Sequence, residues 1–146
     1  MNEPKTILLA EDDANDVELT LTALAEQNLA KNVQVVRDGT EALDYLFSRG
    51  KFAKRPPGDP LVVLLDLKMP KVSGLEVLAQ IKADPTLKLV PIVALTSSRE
   101  SSDVKHAYEY GVNAYVVKPV RFSEFISAVK DLGIFWAVVN QAPQDS

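Results

Sequence analysis

The sequence predicts an α/β domain, a doubly wound five-stranded parallel sheet with helices on both faces. Short apolar runs alternate five times with longer segments whose apolar residues recur at helical spacing. The run 61–65, Leu-Val-Val-Leu-Leu, is continuously apolar, as expected of a strand buried on both faces. The 146 residues suit one core, and the composition, 47% hydrophobic and 25% charged, is that of a folded globular chain.

The first strand is read at 7–10. A helix follows over about 15–28, with Val17, Leu21 and Leu24 on one face. The second strand is 33–36, and Asp38-Gly39 opens a helix that turns Ala42, Leu43, Leu46 and Phe47 inward. Residues 49–60 form a loop containing proline and lysine. The third strand is 61–65. Its helix starts near Gly74, carries Val77, Leu78 and Ile81, and stops at Asp84-Pro85, because a residue before proline avoids the helical region. The fourth strand is 92–95, with a helix over about 99–110 that ends at Gly111 as a left-handed cap. The fifth strand is 114–117. The last helix carries Phe122, Phe125, Ile126, Val129 and Leu132. One domain is expected over 1–139, followed by a polar tail, 140–146.

Composition excludes several functions. A net charge of -4 is a poor basis for binding nucleic acid. No apolar run is long enough to span a bilayer, and the N-terminus lacks the apolar core of a signal peptide. With no cysteine and one histidine, His106, there is no material for thiol catalysis, a hydrolase triad or a histidine-rich metal site. A cytoplasmic, non-membrane protein is expected.

In an open parallel sheet, ligands bind beyond the carboxyl ends of the strands. After the first strand stands Glu11-Asp12-Asp13, after the third Asp66-Leu67-Lys68-Met69-Pro70, after the fourth Thr96-Ser97-Ser98, and after the fifth Lys118-Pro119. Clustered carboxylates repel unless a cation joins them. Oxygen ligands without histidine or cysteine select a hard ion, Mg2+. A carboxylate beside a divalent ion and an ammonium can attack a phosphoryl group and hold it as an aspartyl phosphate. Asp13, Asp16 and Asp38 read as helix caps or solvated acids. Thr96 can equally cap a helix, Lys118 can lie on the surface, and Tyr115 can simply pack. His106 reads as exposed and idle.

Taken in order, these motifs resemble the receiver domain of two-component response regulators: an acidic pair, Asp-x-x-Met-Pro and then Gly, a hydroxyl residue, and Lys-Pro, each at its strand end. The resemblance spans residues 6–132. It implies the flavodoxin-like strand order 2-1-3-4-5. Asp66 would be the phosphoacceptor. Mg2+ would be held by Asp12, Asp66, the Lys68 backbone carbonyl and, through water, Glu11. Thr96 and Lys118 would bind the phosphoryl group, Tyr115 would be the switch aromatic, and Pro119 would follow a cis peptide bond. Side chains two residues after the acceptor and after the hydroxyl flank the phosphoryl group in this family, so Lys68 and Ser98 are expected to tune its lifetime.

The implied donor is a sensor histidine kinase. The loop 49–60 and the Phe-Trp-containing C-terminus resemble stand-alone regulators that pair with phytochrome kinases. The apolar run with Ile134, Phe135, Trp136 and Val138 is too continuous for one amphipathic face and is expected to make a homodimer contact. No output domain is read in the chain, and the protein is not expected to be an enzyme beyond catalysing its own phosphotransfer and autodephosphorylation. A haloacid-dehalogenase-like phosphatase would need an Asp where Lys68 stands. A nucleotide-binding protein would need a glycine-rich loop where three acids stand. The alternative that remains is a pseudo-receiver acting by protein contact without phosphorylation.

Overall fold

A computed structural model of the protein describes residues 6–26, 33–55, 58–97 and 102–132. Among these residues, five strands alternate with five helices: β1 (Ile7–Ala10), α1 (Ala14–Ala25), β2 (Val33–Val36), α2 (Gly39–Leu46), β3 (Val62–Asp66), α3 (Gly74–Ala83), β4 (Ile92–Thr96), α4 (Ser102–Glu109), β5 (Ala114–Val117) and α5 (Phe122–Asp131). All pairings are parallel, in the order β2-β1-β3-β4-β5. The chain reverses its direction of winding between β1 and β3, which opens a crevice at their carboxyl ends.

The pleat divides the core in two. Leu8, Ala10, Val63, Leu65, Ile92 and Ala94 point to one side, where Leu43 of α2, Val77 and Ile81 of α3 and Ala107 of α4 cover them. Ile7, Leu9, Val62, Leu64, Val93, Leu95, Ala114 and Val116 point to the other, under Val17 and Leu24 of α1 and Phe125 and Val129 of α5. Both faces of β3 are therefore dry, and all five of its residues are buried.

The helices begin and end where local chemistry dictates. Asp13, Asp38 and Ser73 cap α1, α2 and α3, each side chain accepting from the backbone amide three residues on. Past α4, Gly111 takes a φ of +101°. Its amide donates to Tyr108 O, and that of Val112 donates to Ala107 O, a left-handed closure of the helix. Gly74 is needed for contact: a Cβ there would fall on the Asp66 carbonyl oxygen and within 2.6 Å of Leu67 Cα. Helix α3 thus sits directly against the backbone of Asp66.

Two strands differ from their apolar runs. β3 is Val62–Asp66 rather than 61–65, and β4 continues to Thr96. Apolar runs report side chains, whereas the ladder is made by backbone groups. Asp66 pairs with Leu95, and Thr96 with Val117, whatever their side chains are. The loop after α2 carries a 3-10 turn, Gly50–Phe52. Arg55 ties that loop down, donating to Tyr45 O at 2.6 Å and Gly58 O at 2.9 Å with its guanidinium 4.3 Å from the Tyr45 ring centroid. Residues 27–28 and 99–101 of the expected helices lie outside the described residues, as do Ser98, Ile134, Phe135, Trp136 and Val138.

Candidate functional site

The crevice at the carboxyl edge is a cavity of about 250 Å³ whose lining includes Glu11, Asp12, Asp16, Asp66, Thr96 and Lys118. Alternation explains who meets there. Glu11, Asp66 and Lys118 each continue the parity of the residues facing α1 and α5. The ladder extends past β1, since Glu11 N donates to Val36 O at 3.0 Å. At the fifth strand, Lys118 N donates to Thr96 O at 2.7 Å.

Lys118 Nζ is the centre of charge. It donates to Glu11 Oε1 at 3.1 Å, Asp16 Oδ2 at 3.0 Å and Asp66 Oδ2 at 3.2 Å. An ammonium has three donors, so these acceptors satisfy it. Burial alone would lower its pKa. The bond to Asp16, the charge of Asp66 and the bond to Glu11 outweigh that and raise it. Lys118 is therefore fully charged.

Glu11 is wholly buried. Its Oε2 accepts from Asp13 N at 3.1 Å. Burial first, and then the neighbouring Asp66 carboxyl, push its pKa up to about 7, against the opposing pull of Asp13 N and Lys118. Asp66 is 4% exposed, and its Oδ1 accepts from Lys68 N at 3.0 Å. One carboxylate oxygen from each of Glu11, Asp12 and Asp66 lies within 4.8 Å of the others. The donors are all oxygen, two of the three residues are buried, and Glu11 ionises reluctantly without a further cation. That set fits a hard divalent ion. Asp12 is exposed and lines the cavity.

The remaining sequence-derived residues divide. Thr96 is 6% exposed and lines the cavity. Lys68 is exposed beside it. The Lys118-Pro119 peptide is cis. Tyr115 faces away from the cavity, half-buried against the α2–α4 side of the core, with its ring edge-on to Tyr108 at 6.0 Å. His106 is exposed on α4. Among the described residues, no helix is long and apolar enough to cross a membrane.

Asp16 corrects the sequence reading, which took it for a solvated helix acid. It stands in the first turn of α1, over the sheet face that carries Glu11, Asp66 and Lys118, and it binds the lysine. Its spacing held the signal: α1 must cover the face of Leu9, and Asp16 precedes the buried Val17 at the end of that helix nearest the strand edge.

Residues 7–130 match the family model described as response regulator receiver domain. Response regulator Rcp1 of Synechocystis sp. is 38% identical over 135 residues, covering 92% of this chain and 90% of Rcp1. The solved Mn2+-bound form of Rcp1 superposes with a TM-score of 0.73 at 37% identity, over 92% of this chain and 95% of that one. The bacteriophytochrome response regulator RtBRR is 58% identical, with a TM-score of 0.87 over 99% of this chain and 87% of that one. The phosphorylated cyanobacterial phytochrome response regulator RcpA is 40% identical, with a TM-score of 0.75 over 99% of this chain and all of that one.

Proposed function

The chain belongs to the response regulator receiver domains and is related to phytochrome response regulators, and on that premise we propose that it is a switch phosphorylated on Asp66 by a sensor histidine kinase of phytochrome type. The observation that carries this is the Asp66 carboxylate, which is buried, set at the crevice, 3.2 Å from the Lys118 ammonium and grouped with Glu11 and Asp12.

An Asp66 oxygen attacks the phosphorus of a phosphohistidine. The new P–O bond forms as the P–N bond breaks, and the electron pair leaves on the imidazole nitrogen, which takes up a proton. Lys118 meets the charge of the transferring oxygens. Mg2+ is the assigned ion, and Asp12, Asp66, the Lys68 carbonyl and, through water, Glu11 would hold it. When bound, it supplies charge balance on the phosphoryl oxygens. Thr96 accepts the role of switch hydroxyl and Tyr115 that of switch aromatic. Lys68 and Ser98 tune autodephosphorylation.

Residues 1–139 are taken as the receiver unit and 140–146 as a polar tail. Ile134, Phe135, Trp136 and Val138 are assigned to a homodimer contact. The protein acts in the cytoplasm through protein partners rather than nucleic acid.

Incubation with acetyl phosphate and Mg2+, read by intact mass, tests the core of this proposal. A labile phosphoryl adduct on the wild type, lost in Asp66→Asn and without Mg2+, is expected. No adduct from acetyl phosphate or from a cognate kinase would point to a pseudo-receiver.

A further inference from the structure

Three carboxylates hold Lys118, and only two of them belong to the proposed metal and acceptor site. Glu11 and Asp66 belong with Asp12 to the oxygen group that suits a divalent ion. Asp16 lies outside that group, on α1 rather than on a strand end, and its bond to Nζ is the shortest of the three at 3.0 Å. A divalent ion among Glu11, Asp12 and Asp66 would draw on two of the three acceptors of Lys118. It would also repel the ammonium, since two cations would then share one buried edge. Asp16 is the acceptor that the ion leaves alone. Its side chain is 26% exposed, against 0% for Glu11, so water reaches it where it meets the ammonium.

We propose that Asp16 is a positioning residue for phosphoryl transfer: it anchors the Lys118 ammonium at the crevice when a divalent ion engages Glu11 and Asp66, so that the lysine is in place as the phosphoryl group arrives. This rests on Asp66 being the acceptor. The backbone amide of Asp16 separately donates to the cap Asp13 Oδ1 at 2.9 Å, a bond that Asp16→Asn preserves. The side-chain carboxylate is thus isolated from the helix start.

The test has two arms. In the first, Mg2+ is titrated without any phosphoryl donor, and the ε-methylene NMR signals of Lys118 are followed. Wild type keeps a dispersed, ordered signal at saturation, whereas Asp16→Asn moves to the shift of a solvated lysine. In the second, phosphoryl uptake from acetyl phosphate is timed at saturating Mg2+. Asp16→Asn slows it on the order of tenfold, as for loss of one charge-assisted hydrogen bond, and causes no further slowing in a Lys118→Ala background. An unchanged Lys118 signal in Asp16→Asn, an unchanged rate, or a slowing that persists without Lys118 would each overturn the proposal. If wild type takes up no phosphoryl group, the acceptor reading falls, and the NMR titration alone decides whether Asp16 anchors the lysine.

Discussion

Lys118→Met keeps the length and apolar stem of the side chain and removes its charge. Glu11, Asp16 and Asp66 then face one another without a counter-ion, at an edge where Glu11 is fully buried and the Asp66 side chain is 6% exposed. Breaking a buried ion pair from one side costs about 3–5 kcal/mol. Lys118 is itself 16% exposed and Asp16 26%, so water offsets part of this and the expected loss is about 2–4 kcal/mol. The loss should depend on pH. With the lysine present, Glu11 already has a pKa of about 7 in the fold, above its ordinary value of 4.5. A carboxyl raised on folding binds more protons in the native state, so its contribution to stability falls as pH climbs from about 4.5 to about 7. Without the ammonium, that window extends upward. Urea unfolding in chelator should therefore show a wider gap between variant and wild type at pH 8 than at pH 5.5, where Glu11 is protonated in both. A gap below about 1 kcal/mol at pH 8, or one equal at both pH values, would refute the claim that these carboxylates depend on Lys118.

The same titration of Glu11 makes stabilisation by Mg2+ stronger at pH 8 than at pH 5.5 in the wild type, because the ion offsets a penalty that exists only when Glu11 is ionised; paired thermal melts check this. Gly74→Ala drives a Cβ onto the Asp66 carbonyl, a backbone atom that cannot swing away. It should cost about 1–3 kcal/mol in denaturant unfolding and slow phosphoryl uptake as well, whereas Gly58→Ala, strained only by its φ of +130° with nothing within 4 Å, should cost stability but leave uptake unchanged. Arg55→Lys loses the fork over Tyr45 that reaches the carbonyls of Tyr45, Leu46 and Gly58, so it should destabilise by about 1–2 kcal/mol and raise amide exchange at the end of α2.

The order of strands and helices was legible because hydrophobic spacing reports which side chains a two-sided sheet must bury. Leu61 shows where that signal stops. It is apolar and next to β3, yet it is only half-buried, and the ladder instead takes in Asp66. The site was legible as a set of strand ends, since Glu11, Asp12, Asp66, Thr96 and Lys118 each follow or close an apolar run. Asp16 escaped because its partner is 102 residues away and its own neighbourhood looks like any acidic helix start. Only the parity of Leu9, Glu11, Leu64, Asp66, Val116 and Lys118 shows that these side chains share the face α1 covers. The tie from Arg55 to α2 was hidden in the same way, because backbone acceptors carry no sequence signature.

That shared parity has a consequence for how such a chain can change over generations. Inserting or deleting one residue within β1, β3 or β5 would turn a carboxylate or the lysine to the opposite side of the sheet and dismantle the cluster at a stroke. Changes of two residues would keep the facing but move the group along the edge. The lengths of these three strands are thus closed to drift, while the turn anchored by Arg55, which bonds the carbonyls of Tyr45 and Gly58, is open to it. Lineages descended from this sequence are expected to vary in that turn and to hold the spacing from Leu9 to Glu11, Leu64 to Asp66 and Val116 to Lys118 unchanged.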